Sequence, residues 1–235
     1  MHTLTDLLYP PACLVCQRRL ASLETVFCPT CLAGMPRLLP PRCLRCGIGL
    51  PGAFDARLRC GACRNAPPPF DGAAAPWWYA GSTREAIRQF KYRRRWRIGR
   101  RLAEDMAAVA HDSLPIEDIE AILPVPLHWA KHRLRGFNPA EQLAQVIAAR
   151  LAKPCVIGAL RRTRWTSTQT RLHGRERFRN VRDAFAVRPE RLGRGVLLVD
   201  DVLTSGATVA ACTMALNAAG VSRVFVLTAA RTPLT

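Results

Sequence analysis

The sequence predicts an α/β fold, a parallel sheet flanked by helices, with a small cysteine-rich module ahead of it. Two observations carry that reading. Eight of the ten cysteines fall in four C-x-x-C pairs before residue 64. Near the other end, the apolar run Val196-Leu197-Leu198-Val199 meets Asp200-Asp201, then a small hydroxyl-rich loop, a helical pattern and a second apolar run. Strand, loop, helix and strand in that order make a parallel βαβ unit.

The chain is 235 residues long and 49% hydrophobic, enough for a sizeable core and too apolar for general disorder. Met1 to Cys16 has neither the basic start nor the apolar run of a secretory leader. The longest uncharged stretch, Val202 to Ser222, is broken by Thr204, Ser205, Gly206, Thr208, Thr213, Asn217 and Gly220. It reads as a strand end, a loop and a helix rather than a membrane span. The formal charge of +18 draws in polyanions such as pyrophosphates, RNA or DNA. Of the 35 basic residues only Lys91, Lys131 and Lys153 are lysine. That bias follows genomic composition in part, so charge alone is weak ground for nucleic acid.

The cysteine pairs are Cys13/Cys16, Cys28/Cys31, Cys43/Cys46 and Cys60/Cys63. Without an export leader they point to metal binding in a reducing cytoplasm rather than to disulfides. Two residues between cysteines let a tight turn aim both sulfurs at one ion, and two such turns complete a tetrahedral tetrathiolate site. Eleven residues separate the first pair from the second, and thirteen the third from the fourth. Two zinc ions paired in sequence order are therefore expected. The interleaved pairing stays open, and an iron–sulfur cluster is the rival occupant. Four thiolates leave no open position for water, so the role is structural. Residues 1–70 hold few large apolar side chains and several prolines, so metal must supply much of their folding energy. Ala66-Pro67-Pro68-Pro69-Phe70 reads as a stiff linker. It divides a zinc module, 1–70, from an α/β domain, 71–235.

Beyond the linker, Trp77-Trp78-Tyr79 reads as a strand, and Ser82 as the cap of a helix over Thr83 to Phe90. The basic run Lys91 to Arg101 follows, and Leu102 to Ala110 continues as helix. Ala121 to Val125 is a short strand. Asn138 then caps a helix with Pro139 first and Glu141 third. Leu143, Val146, Ile147 and Leu151 give that helix one buried face. Arg161 to Arg182 is polar, basic and aperiodic, a loop or extended hairpin. Val196 to Val199 is a strand covered on both faces and ending at the two acids. Thr208 to Ala219 is a helix closed by Gly220, and Arg223 to Thr228 is the next strand.

The centre of the sequence case is Val196 to Thr208. A buried parallel strand delivers Asp200 and Asp201 at its C-terminal edge, where open α/β sheets bind ligands. Thr204, Ser205, Gly206, Ala207 and Thr208 can turn amides and hydroxyls toward one phosphate, helped by the positive end of the helix dipole. Carboxylates suit sugar hydroxyls, so a ribose 5-phosphate matches both halves. A nucleotide hydrolase would need G-x-x-x-x-G-K-[ST], and a dinucleotide fold several spaced glycines; both are missing. Cys155 and Cys212 lack ligand spacing and read as ordinary buried thiols.

Val199-Asp-Asp-Val-Leu-Thr-Ser-Gly-Ala-Thr208 resembles the ribose-phosphate signature of type I phosphoribosyltransferases. Leu123-Pro-Val-Pro-Leu-His128, Arg133, Arg135-Gly-Phe-Asn138, Thr168-Gln169 and Arg177 to Asn180, with the cysteine pairs, resemble the ComF/GntX family of competence-type proteins. The resemblance implies a type I phosphoribosyltransferase-like sheet behind a double zinc ribbon. It implies that Asp200 and Asp201 bind ribose hydroxyls and that Thr204 to Thr208 hold the 5′-phosphate. Arg135 and Gly136 would face the pyrophosphate of a phosphoribosyl pyrophosphate (PRPP) accompanied by Mg²⁺, and Arg161 to Asn180 would close over it. Ser205 departs from the more usual threonine but keeps the hydroxyl.

Two functions of different class follow. One is phosphoribosyl transfer to or from an acceptor that the sequence does not name. The other is a non-catalytic DNA-uptake factor that holds single-stranded DNA along Arg84 to Arg101 and Arg161 to Arg182 and senses through the phosphate site.

Overall fold

The computed structural model describes residues 10–22, 24–52, 58–127, 133, 135–163 and 185–233. Two short helices, α1 (Pro29–Ala33) and α2 (Gly61–Asn65), lie in the cysteine-rich part. After them come β1 (Gly72–Ala74), β2 (Trp77–Trp78), α3 (Gly81–Arg93), α4 (Trp96–Ser113) and β3 (Ala121–Pro124). The chain continues through α5 (Pro139–Leu151), β4 (Leu160–Arg162), β5 (Phe185–Val187), β6 (Gly195–Leu203), α6 (Ala207–Ala218) and β7 (Arg223–Arg231).

The main sheet is parallel, in the order β1-β7-β6-β3. β1 pairs with Phe225 to Leu227, and β2 pairs farther along the same strand with Ala230 and Arg231. Alternation along β6 sends Leu197 and Val199 to one face and Val196 and Leu198 to the other. The first face is packed by α3, α4 and α5 through Phe90, Leu102, Met106, Leu143 and Ile147, all fully buried. The second is packed by α6 through Val209, Cys212 and Leu216, with Phe185 of the β4–β5 hairpin alongside. Coverage on both faces explains why β6 is apolar without a break.

The cysteine-rich part does not stand apart from this core. Cys13, Cys28 and Cys31 belong to the cluster that holds Ile87, Phe90 and Ile98. Cys43, Cys46, Cys60 and Cys63 form a smaller cluster with Ile48, against which Leu50 and Trp78 pack. Trp77 is 1% exposed, donates from Nε1 to Asp105 at 3.2 Å and carries the Arg37 guanidinium 4.7 Å above its ring. The proline stretch is pinned: the Arg45 guanidinium donates to the carbonyls of Pro68 and Pro69.

The expected helix start at Ser82 moves. Ala80 is the N-cap and α3 runs from Gly81 to Arg93. The Ser82 amide donates instead to the Gly34 carbonyl at 2.9 Å, tying α3 to the cysteine-rich part. β6 runs past the two acids to Leu203, because β7 keeps pairing with it as far as Leu203↔Arg231. The expected loop or hairpin over Arg161 to Arg182 begins in β4, and residues 164–184 lie outside the described ones.

Asn138 caps α5 as its sequence predicts, with Oδ1 accepting from the Ala140 amide at 3.1 Å. It is 4% exposed, and Nδ2 donates to the Val125 carbonyl at 3.1 Å, fastening α5 to the end of β3. Asn138→Ala removes both bonds and a third from Nδ2 to Glu141 Oε1 at 3.3 Å, and is expected to cost about 2 kcal/mol. Asn138→Asp keeps the cap acceptor but turns a buried carboxylate oxygen toward the Val125 carbonyl and Glu141 Oε1, and is expected to cost more than the alanine. Urea denaturation of the three proteins checks the order.

Candidate functional site

The site grows out of the C-terminal end of β6. Side-chain alternation separates its two acids. Asp201 continues the face of Leu197 and Val199, and its Oδ1 lies 2.7 Å from Lys91 Nζ on α3. Asp200 turns toward α6, where its charge acts on the Cys212 thiol, and Asp200 Oδ1 accepts the Asp201 amide at 2.8 Å. Burial and the neighbouring Asp201 charge push the Asp200 carboxyl up to about 7, against the pull of that amide, Lys91 and Arg135. One acid is therefore ion-paired, while the other stands in a setting that disfavours its charge.

Behind the acids the strand ends in an open turn. Thr204, Ser205, Ala207 and Thr208 are exposed. Gly206 is the N-cap of α6 at φ +78°, a left-handed conformation that glycine adopts without strain. Glycine brings no capping side chain, and the first turn of α6 has no acid. Ser205 Oγ takes the Ala207 amide at a long 3.4 Å. Amides and hydroxyls thus meet at the positive end of a helix of twelve residues, a layout suited to an anion.

The cationic side of the site comes from α3 and from the segment ahead of α5. Arg135 donates to Tyr92 Oη at 3.0 Å, and its guanidinium lies 4.8 Å over the Tyr92 ring. Arg94 donates to the Arg135 carbonyl at 2.9 Å. Gly136 has φ +74°, and a Cβ there would run into the Arg94 guanidinium. The residues singled out in the sequence, Asp200, Asp201, Arg135, Gly136 and Thr204 to Thr208, stand at one edge of the sheet. Lys91 was missed as a member. Its signal was present: lysine is rare in this chain, and a compact ammonium serves a single carboxylate oxygen where a guanidinium fork would not fit as well. His128, His132, Thr168, Gln169 and Arg177 to Asn180 lie outside the described residues.

The cysteines form two groups in chain order: Cys13, Cys16, Cys28 and Cys31, then Cys43, Cys46, Cys60 and Cys63. Within each group the sulfurs all lie within 4.8 Å of one another. Cys16 and Cys28 are 3.6 Å apart, and Cys46 and Cys60 3.7 Å. A Zn–S bond of about 2.3 Å gives a tetrahedral edge of about 3.8 Å, so the cages fit zinc. Backbone amides prepare the thiolates: Cys28 N–H donates to Cys13 Sγ and Cys60 N–H to Cys43 Sγ, each at 3.3 Å. Burial raises the Cys13 thiol, but amides at Cys16, Cys28 and Val15 outweigh it and bring it down to about 6. Cys43 comes down to about 7 by the same balance. Cys155 is half-buried and Cys212 fully buried, and burial pushes both thiols up, as it does Cys31, Cys46 and Cys63 inside the cages; neither belongs to a four-cysteine group.

Residues 4–64 match the model of the double zinc ribbon domain. With the two cages, this supports structural zinc. A DNA utilization protein, YhgH, of Escherichia coli O6:H1 is 35% identical over 86% of this chain and 88% of its own length. The chain belongs to the ComF/GntX family. Another relative, competence protein F of Haemophilus influenzae, is 29% identical over 93% of this chain and 96% of its own. Among solved structures, adenine phosphoribosyl transferase from Trypanosoma brucei covers 68% of this chain and 60% of its own at 18% identity, with a TM-score of 0.38. No described helix of this ComF/GntX protein is long and apolar enough to cross a membrane.

Proposed function

We propose that this ComF/GntX protein binds Mg²⁺–PRPP, or a related ribose 5-phosphate, at the β6–α6 turn and works in DNA uptake or use in the cytoplasm. One observation carries the reading: two carboxylates on the end of a buried strand lie beside an open, hydroxyl-rich turn that starts a helix. In this assignment Thr204 to Thr208 hold the 5′-phosphate, and Asp200 and Asp201 take the ribose hydroxyls. Arg135 and Gly136 face the pyrophosphate, with Lys91 and Arg94 adding positive charge on that side.

The chemistry follows from the charges. Breaking the bond at C1 of the ribose builds positive charge on the sugar and negative charge on the leaving pyrophosphate. Asp200 and Asp201 favour the first, and Arg135 the second. Two hard carboxylate donors at this edge fit Mg²⁺, which the oxygens of PRPP would largely hold and which would neutralise pyrophosphate charge. Lys91 pairs with Asp201 until a ligand arrives and is then free to turn toward the pyrophosphate. The division at 70/71 belongs to the same proposal, with the pinned proline stretch as its boundary.

A second reading is favoured by an adjoining surface that shares Tyr92 and Arg94 with the first. Tyr92 to Arg97 is exposed without a break, and Tyr92 and Trp96 are 61% and 42% exposed among arginines. Aromatic faces set in positive charge are what a single strand of DNA stacks on. In this reading the phosphate turn senses rather than catalyses.

Calorimetric titration of Mg²⁺–PRPP into the zinc-loaded protein tests the ligand assignment, and titration of single-stranded DNA across salt concentrations tests the second reading. The wild type is expected to release heat, and the Asp200→Asn/Asp201→Asn protein to bind at least tenfold more weakly. No heat from the wild type, or equal binding by the double variant, overturns the phosphoribosyl reading. Single-stranded DNA affinity that does not fall with rising salt overturns the DNA reading.

A further inference from the structure

A cavity of about 380 Å³ lies between the second zinc ribbon and α6. Its ribbon-side wall includes Cys46, Cys60 and Cys63 of the second cage with Pro68 and Phe70, and its helix-side wall Ala210 and Met214. Its rim is formed by Ser205, Gly206 and Ala207 of the phosphate turn. At this size it falls in the lower part of the range that takes small organic ligands. Its apolar walls suit the faces of a flat ring.

One cation lines this apolar space. Arg231, the last residue of β7, is 5% exposed, and its Nε has no hydrogen-bond partner among the described residues. Cys46, Cys60 and Cys63 line the same space, so the charge of the cage offsets part of the guanidinium's, yet no sulfur accepts from Nε. That leaves Nε–H without an acceptor, and a buried guanidinium is costly without one. The fork geometry of arginine matches a carboxylate with two parallel bonds.

We propose that this cavity binds a small planar aromatic carboxylate, its carboxylate held by Arg231 and its ring between the proline stretch and α6. The site is separate in its anchoring residue from the sugar-phosphate turn and shares only the rim with it. Its occupant would therefore lie next to a bound ribose phosphate. The binding itself does not depend on what the turn holds.

Saturation-transfer NMR on the full-length, zinc-loaded protein tests this with benzoate and nicotinate, and with benzamide and nicotinamide as uncharged partners of the same shape. The two carboxylates are expected to receive saturation, and the amides to bind at least tenfold more weakly. Arg231→Gln is expected to cost at least tenfold in carboxylate affinity. Ala210→Phe fills the cavity from the helix side and leaves Arg231 in place; it is expected to abolish binding while both zinc ions remain. Absence of saturation in the wild type overturns the proposal, as does carboxylate binding that survives Ala210→Phe. Loss of the second zinc from Arg231→Gln, with no carboxylate bound by the wild type, assigns the guanidinium to the metal instead. No probe contains a phosphoribosyl group, so this test and the Mg²⁺–PRPP titration succeed or fail separately.

Discussion

Cys28→Ser is expected to release one zinc ion and to lower the Tm of the whole chain, whereas Cys60→Ser releases the other with a smaller and more local effect. The difference lies in where the two cages sit. Cys13, Cys28 and Cys31 are buried in the cluster that contains Trp77, Ile87, Phe90 and Leu102, so the first cage helps to close the core under α3 and α4. The second cage is the centre of a satellite cluster, with Ile48 inside it and Leu50 and Trp78 at its margin. Structural zinc contributes roughly 10–16 kcal/mol of apparent binding energy in small modules, and losing one thiolate of four removes a large part of it. If about 4 kcal/mol of that loss reaches the main core through Cys28, the melting point falls by roughly 8–16 °C for a chain of this size. Metal analysis counts the zinc retained by each variant, and circular dichroism follows the melt. Equal shifts from the two variants, or no shift from Cys28→Ser, would mean that the first cage is not part of the main core.

That asymmetry was out of reach of the sequence, although the cages themselves were legible. C-x-x-C spacing is a local property: a tight turn aims two sulfurs whatever lies around it. The same holds for Asn138 with Pro139 and Glu141, and for Gly220, whose roles depend on a few neighbouring residues. The βαβ unit was legible because an uninterrupted apolar strand and a helical pattern each have their own period. What failed to show were contacts between distant segments. Lys91 meets Asp201 across more than a hundred residues, and no periodicity marks such a pair. Ser82 looked like a cap because its local pattern is one, but its amide docks on Gly34 and the helix starts earlier. β6 outran its expected end because pairing with β7 persists beyond the acids, which only the sheet register reveals. The side chain of Arg231 is a further case: from sequence it is one arginine among many, and only the sheet shows that it ends β7 between β2 and β6 and lines the cavity.

Asp200→Asn is expected to make the free protein more stable at pH 8 while weakening its binding of Mg²⁺–PRPP at least tenfold. The Asp200 carboxyl is pushed up to about 7 by burial and by the Asp201 charge, whereas an unfolded aspartate titrates near ~3.9. Between those two values the folded protein keeps a proton that the unfolded chain has given up. Stability follows the difference in bound protons, so this group's contribution falls as pH rises from about 4 to 7 and is level above. Asparagine resembles the protonated acid and carries no charge to bury, so it escapes that loss. The gain at pH 8 should be about 1–3 kcal/mol, or a few degrees in Tm, and should vanish near pH 4. Mg²⁺–PRPP affinity should drop at least tenfold, because the amide gives up one of the charged acceptors that would take the ribose hydroxyls. A residue kept for folding would behave the other way round, with its loss lowering Tm. Thermal melts of the wild type and Asp200→Asn at pH 4 and pH 8, beside the calorimetric titration, decide between the two. A variant less stable than the wild type at pH 8 would make Asp200 a structural acid, not one held at an electrostatic cost in the free protein.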